Sequence, residues 1–215
     1  MNPYFTSLKG EKLFKRKENA RFIVIEGIDG TGKTTQAKLL ADELKKRSRE
    51  VVLTKEPTND TEPGKKLRRA LRKEISLSEK EFQILFTEDR KEHLEKVIIP
   101  SLQKGNIAVS DRYAFSTIAY GSEGCDPAWL TKINENFPLP DLTLLIQIPL
   151  EESLKRIGRR GEEAEVYEEE EKLKHIQNAY KKLAKTFPGF KIIDGSGTIQ
   201  ETHKKIMRQV LSSIF

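Results

Sequence analysis

Apolar residues along this chain follow two patterns that take turns. In the first, short apolar runs stand almost uninterrupted: Arg21–Glu26 (RFIVIE), Val51–Lys55 (VVLTK), Ile107–Ser110 (IAVS), Leu142–Ile148 (LTLLIQI) and Phe190–Ile193 (FKII). Runs of this length, rich in β-branched residues, predict strands, and continuous apolarity predicts burial on both faces. In the second, apolar positions recur at three and four: Ala37, Leu40, Ala41 and Leu44 fall on one side of a segment from Lys33 to Arg47, with Lys38, Asp42, Lys45 and Lys46 on the other. That spacing predicts an amphipathic helix. A longer stretch, Ser78 to Gln103, carries Phe82, Leu85, Phe86, Leu94, Val97 and Ile98 at helical spacing and predicts one long helix. Buried strands alternating with helices imply a doubly wound α/β fold, three-layer α/β/α with a five-stranded parallel sheet. Pro57, Pro63-Gly64, Pro138, Pro140 and Pro188-Gly189 punctuate the loops, and no linker-like stretch divides residues 21–215.

The first twenty residues break the pattern. They carry Lys9, Lys12, Lys15, Arg16 and Lys17, with neither an apolar core region nor a small-residue cleavage site, so they do not read as a signal peptide. Residues 1–20 are expected to be a basic N-terminal extension, solvated and partly disordered. Composition adds limits. The chain has 215 residues with 36% hydrophobic and 33% charged content, the balance of a globular protein. No apolar run approaches the ~18 residues of a membrane-crossing helix. The single cysteine, Cys125, forbids an internal disulfide and fits a cytoplasmic location. A net charge of +6 raises the question of nucleic acid, but Lys and Arg are interspersed with Glu and lack interleaved aromatics, so no nucleic-acid partner is expected.

The chemistry begins where the first long strand ends. Gly27, Ile28, Asp29, Gly30, Thr31, Gly32, Lys33 and Thr34 fit G-x-x-x-x-G-K-[ST] between a predicted strand and a predicted helix, with Thr35 following. Glycines let successive backbone N–H groups turn inward on phosphates, Lys33 adds a positive charge, and the Thr34 hydroxyl suits Mg²⁺. A nucleoside triphosphate with Mg²⁺ is implied. The loop alone does not choose among kinase, GTPase and motor-like ATPase, although no Asn in the chain is followed by Lys, as a guanine-reading element would need. Asp111, closing the strand Ile107–Ser110, is the candidate acid for Mg²⁺, with capping of the next helix as the alternative. Arg112 beside it suits a phosphate.

A second substrate is suggested by two clusters. Phe86 and Arg90, four apart, share a helix face and could stack on a base and bond its edge, or could simply be a core phenyl and a solvated charge. Asp111 to Tyr120 gathers a carboxylate, a guanidinium, Ser116, Thr117 and two phenols just past a strand's C-terminal end, where ligands bind in open α/β sheets.

Phe22–Gln36, then Thr54-Lys55-Glu56-Pro57, then Leu85-Phe86 with Arg90, then Asp111-Arg112-Tyr113 with Ser116 and Ala119-Tyr120, then Pro140–Leu144, together resemble the thymidylate kinases. The resemblance runs from about Phe22 to the C-terminus and implies a P-loop nucleoside monophosphate kinase-like fold, ATP as phosphoryl donor, Mg²⁺, dTMP as acceptor and a homodimer built through the long helices. It implies that Asp29 holds the acceptor sugar's 3′-hydroxyl and that Phe86 stacks on thymine while Arg90 bonds its edge. Arg112 would grip the acceptor phosphate, Ser116, Thr117 and Tyr120 would shape the pocket, and Asp111 would serve Mg²⁺. Residues 154–166 look like the family's lid, with Arg156, Arg159 and Arg160 as candidates to close on the transferring phosphoryl group. Thr31 stands where some members place an arginine, so the lid must supply the cation.

The chain also departs from the family pattern. Lys55-Glu56-Pro57-Thr58-Asn59 replaces a common Arg-Glu-Pro-Gly-Gly, so Lys55 stands where a phosphate-gripping arginine is frequent; Gly121 replaces a glutamine after Ala-Tyr. These changes touch the acceptor side more than the ATP side. A kinase for another nucleoside monophosphate or a deoxynucleoside, or an ATP-binding switch without an acceptor, are therefore the alternative readings.

Overall fold

The computed structural model describes residues 2–47, 49–158 and 166–214. Its five-stranded sheet is built from β3 (Arg21–Glu26), β4 (Val51–Lys55), β5 (Ile107–Asp111), β6 (Leu142–Gln147) and β7 (Phe190–Asp194), after a hairpin of β1 (Tyr4–Thr6) and β2 (Lys12–Lys15). The sheet is all parallel, in the order β4-β5-β3-β6-β7. Helices fill the crossovers, α1 (Lys33–Lys46), α2 (Glu62–Leu71), α3 (Glu79–His93), α4 (Ile99–Lys104), α5 (Ala114–Gly121), α6 (Pro127–Asn134), α7 (Leu150–Gly158) and α8 (Val166–Thr186), and α9 (Ile199–Ile214) follows the last strand.

The period of two along each strand assigns its side chains to opposite layers. On β3, Ile23 and Ile25 pack with Leu40, Leu44, Ile206 and Val210 of α1 and α9, whereas Phe22 and Val24 pack with Phe115, Ile176 and Tyr180 of α5 and α8. All six residues of β3 are buried, as a central strand requires. The edge strands differ: Leu53 on β4 and Ile192 on β7 are exposed, because an edge strand's outer face lacks a full helical cover. None of the described helices is long and apolar enough to cross a membrane.

The predicted helix from Ser78 to Gln103 is interrupted. Ser78 and Glu81 form a capping box that starts α3, but Leu94–Ile98 is a π-helical turn before α4. Pro100, in the first turn of α4, has no N–H to donate and its ring would clash with the carbonyl four residues earlier; widening the helix before it relieves both problems.

The N-terminal segment is not the solvated tail that its charge suggests. Phe5 is fully buried and stacks on Phe14 with ring centroids 4.9 Å apart. Backbone bonds run from Leu8 N–H to Phe137 O and from Leu139 N–H to Thr6 O. Arg16 lies over the Phe5 ring and forks onto Asp141 at 2.6 and 2.8 Å, while the same carboxylate accepts the Phe22 N–H. The partners that order this hairpin lie over a hundred residues away, beyond the reach of local pattern.

Candidate active site

The phosphate loop leaves β3 at Gly27 and enters α1 at Lys33. Two of its glycines are forced by sterics. Gly27 has φ +147° and a Cβ there would sit 2.5 Å from Ile146 O; Gly30 has φ +79° and a Cβ would sit 2.7 Å from Ser153 O. Helix α7 therefore presses against the loop, and Ser153 Oγ donates to Asp29 O at 2.6 Å while Arg156 Nη1 donates to Gly30 O at 3.2 Å. Lys33 Nζ donates to Ile28 O at 2.6 Å and lies 3.7 Å from Asp29 Oδ1. Burial pushes its pKa down to about 7, with the Arg112 charge adding to the effect and Asp29 and Asp111 opposing it.

Thr34 Oγ1 donates to Asp111 Oδ2 at 2.5 Å, across the gap between α1 and β5. The other carboxylate oxygen, Asp111 Oδ1, is buried without a hydrogen-bond partner. A carboxylate oxygen held dry and unpaired beside a threonine hydroxyl and below a phosphate loop is a fitting donor set for Mg²⁺ or its water ligands. Among the described residues, groups of three or more His, Cys, Asp or Glu that could hold a metal do not occur, so a metal here would depend on substrate phosphates for most of its ligands.

Two cavities open from the loop. The first, about 230 Å³, is lined on one side by Asp29, Lys33, Thr34 and Thr35 and on the other by Lys55, Arg68, Asp111 and Arg112. The second, about 240 Å³, has the aromatic walls Phe82, Phe86 and Tyr120, with Leu71, Gln83 and Thr117 between them. Asp29, Pro57 and Arg112 line both, so the cavities adjoin. A third space, about 530 Å³, runs from Gly30 and Gln36 past Arg156 to Gly195, Gly197 and Ile199.

Arg112 stands at the junction with φ +72°. Its guanidinium reaches Asp29 Oδ1 at 2.5 Å, Ser116 Oγ at 3.0 Å and Tyr120 OH at 3.2 Å. Burial raises the cost of charge on Asp29, but Arg112 and Lys33 outweigh it and hold that carboxyl below its usual range. Ser116, which holds Arg112, is itself fixed by Glu26. That carboxylate accepts from Tyr113 N–H, Ser116 N–H, Ser116 Oγ and Tyr180 OH, and so caps helix α5, whose own N-cap side chain makes no bond. Burial raises the Glu26 pKa despite these bonds and the nearby Arg112.

The sequence model of the thymidylate kinase family matches residues 25–206. A probable thymidylate kinase of Pyrococcus horikoshii is 42% identical over 195 residues, covering 88% of this chain and 95% of the relative. The thymidylate kinase of Desulfotalea psychrophila is 37% identical over 192 residues, covering 88% and 94%. The chain belongs to the thymidylate kinase family. Its fold is shared with the crystal structure of thymidylate kinase from Ehrlichia chaffeensis, at a TM-score of 0.71, 27% identity and coverage of 88% and 98%. As a member of that family it is a phosphotransferase.

Against the thymidylate kinase pattern, the structure brings most of the expected residues to these cavities and moves one. Phe86, Ser116, Thr117 and Tyr120 line the aromatic cavity, and Lys55 lines the polar one. Arg90, expected at a base edge, lies behind the wall and is 1% exposed. Its guanidinium donates to Glu56 Oε2 at 2.9 Å, Asn134 Oδ1 at 2.5 Å and Thr117 Oγ1 at 2.9 Å. It is not the solvated charge that spacing alone allowed. Arg159 and Arg160, with residues 161–165 of the expected lid, lie outside the described residues.

Several residues escaped the sequence reading. Arg68 of α2 lines the polar cavity and is held by the carbonyls of Pro57 and Thr58. Asp89 shapes the turn beneath it, accepting Thr58 N–H at 2.8 Å and Thr58 Oγ1 at 2.6 Å as well as the Thr61 hydroxyl. Thr58, which stands where glycine is common, thus shares a buried acceptor with Thr61. Glu26 carried the one available signal, a charge ending an otherwise apolar strand.

Proposed function

We propose that this thymidylate kinase family member transfers the γ-phosphoryl group of Mg²⁺-ATP to dTMP, giving dTDP and ADP. The observation that carries this reading is a polar, cation-lined cavity adjoining an aromatic one at Asp29 and Arg112. A triphosphate and a nucleotide phosphate can meet in the first while the acceptor base lies in the second.

The roles follow from position. The backbone of Gly27, Ile28, Asp29, Gly30, Thr31, Gly32, Lys33, Thr34 and Thr35 cradles the donor phosphates, and the space beside Gly195 and Ile199 takes the donor base. Thr34 and Asp111 would hold Mg²⁺, which when bound offsets charge on the β- and γ-phosphates. Arg112, Lys55 and Arg68 hold the acceptor phosphate, Asp29 its sugar hydroxyl and Phe86 the face of its base. Ser116 and Tyr120 keep the Arg112 fork in one orientation. Arg90, paired with Glu56, fixes Thr117 from behind that end of the cavity.

An oxygen of the acceptor phosphate attacks the γ-phosphorus, the bond to the β–γ bridging oxygen breaks, and the electron pair leaves with ADP. The attacking oxygen is already anionic, so the protein's contribution is alignment and charge neutralisation, with Lys33 and Arg156 nearest the donor and Arg159 and Arg160 as the lid's candidates. Homodimer formation and a cytoplasmic location belong to the same proposal, as does the absence of a nucleic-acid partner.

The test is ADP release from Mg²⁺-ATP with dTMP, dUMP, dCMP, dAMP, dGMP, UMP, AMP and thymidine in turn. Strong stimulation by dTMP is expected. Preference for a different acceptor would replace dTMP but keep the transfer, and indifference to all of them would leave an ATP-binding switch.

A further inference from the structure

Gln83 sits one turn before Phe86 on α3 and faces the same aromatic cavity. It is only 4% exposed, yet its Oε1 is buried with no hydrogen-bond partner. A buried carboxamide oxygen without a partner is costly, and in a packed wall it calls for a ligand that completes it. The room it occupies exists because residue 121 is glycine: a Cβ there would come within 2.9 Å of Gln83 Cδ and 2.8 Å of Leu130 Cδ2. Gly121 is in ordinary helical backbone at the end of α5, so the packing of Leu130 and Gln83 against it, and not a turn, is what crowds a side chain there.

We infer that Gln83 is the residue that reads the hydrogen-bonding edge of the acceptor base, made possible by the missing side chain at Gly121. The inference rests on the dTMP reading above. Its neighbour Thr117 completes the recognition. Thr117 Oγ1 accepts from Arg90 Nη2, which leaves the hydroxyl proton to donate elsewhere. An acceptor on Gln83 beside a donor on Thr117 complements an N–H next to a carbonyl, the N3–H and O4 edge of thymine or uracil. Gln83 is thus a specificity-determining residue, distinct from Phe86, which offers a face indifferent to the edge.

The experiment compares the wild type with Gln83→Leu and Gln83→Ala, measuring KM for dTMP, KM for ATP and kcat/KM for N3-methyl-dTMP, with a thermal midpoint for each protein. Gln83→Leu, close in volume and unable to bond, should raise KM for dTMP about tenfold while KM for ATP stays within about twofold. Gln83→Ala, which leaves room for the added methyl, should shrink the preference for dTMP over its N3-methyl form by about tenfold or more. An unchanged KM for dTMP in Gln83→Leu would overturn the assignment. So would a parallel rise in both KM values with a lowered thermal midpoint, the mark of a packing role. A wild type that dTMP does not stimulate defeats the dTMP reading itself, and the assignment with it, before any variant is measured.

Discussion

The phosphate loop takes its shape from its own backbone, with Lys33 and Thr31 both bonding Ile28 O, and from Ile146 and Ser153, which leave no space for side chains at Gly27 and Gly30. The aromatic cavity a few ångströms away takes Leu71 from α2, Phe82, Gln83 and Phe86 from α3, and Thr117 and Tyr120 from α5. Its polar residues are held from elsewhere in the chain, Ser116 by Glu26 at the end of β3, Thr117 by Arg90, which Glu56 after β4 holds in turn, and Tyr120 by Asp29. The loop binds through backbone N–H groups, which recognise any triphosphate, whereas the cavity binds through side chains whose positions depend on tertiary contacts. General chemistry on one side and choice of acceptor on the other follow from that difference.

The largest expected effect attacks the loop. Lys33→Ala should lower kcat by on the order of 10³-fold or more with every acceptor, because charge neutralisation at the transferring group is lost. The far-ultraviolet circular dichroism should not change. Residual turnover near the wild-type level would mean that the loop lysine is not the donor-side cation. Next in size is Phe86→Ala, which should raise KM for dTMP about tenfold while leaving that for ATP nearly alone. Equal changes in both constants would erase the division between the two sides.

The smallest effect concerns the electrostatics of the loop in the free protein. Lys33 releases its proton at about 7 in the folded chain and at its ordinary value of 10.5 when unfolded. Between these values the unfolded chain binds the extra proton, so stability rises with pH across that window; below about 7 the contribution is constant. Relative to Lys33→Met, the wild type should gain at most about 1.4 kcal/mol per pH unit between neutrality and pH ~9, read from urea midpoints. Parallel pH slopes in the two proteins would show that the ammonium is hydrated and not desolvated by the loop.

The five strands of the sheet, the α1 face and the residues Gly27–Thr34 could be read from the chain because each is set by spacing over a few residues. Asp111 and Arg112 were legible for the same reason, standing at the end of an apolar run. The burial of Arg90 was not legible, because an isolated Phe-Arg pair at helical spacing does not disclose that Glu56, Asn134 and Thr117 will converge on the guanidinium. Arg68 and Gln83 gave no signal at all, being ordinary polar residues in helices whose neighbours come from other elements.

The hairpin at the N-terminus follows the same rule at larger scale. Its basic residues look like those of a solvated arm, and only the fold brings Phe137, Leu139 and Asp141 to receive it. Sequence by itself determined the period-two and period-3.6 burial, the order of strands and helices along the chain, and the phosphate loop, since all of these are local consequences of side-chain direction and backbone sterics. Tertiary structure decided which buried charge meets which partner, where Gln83 finds its space, and that two cavities adjoin at Arg112, because those contacts link residues far apart in the chain and exist only after the layers have packed.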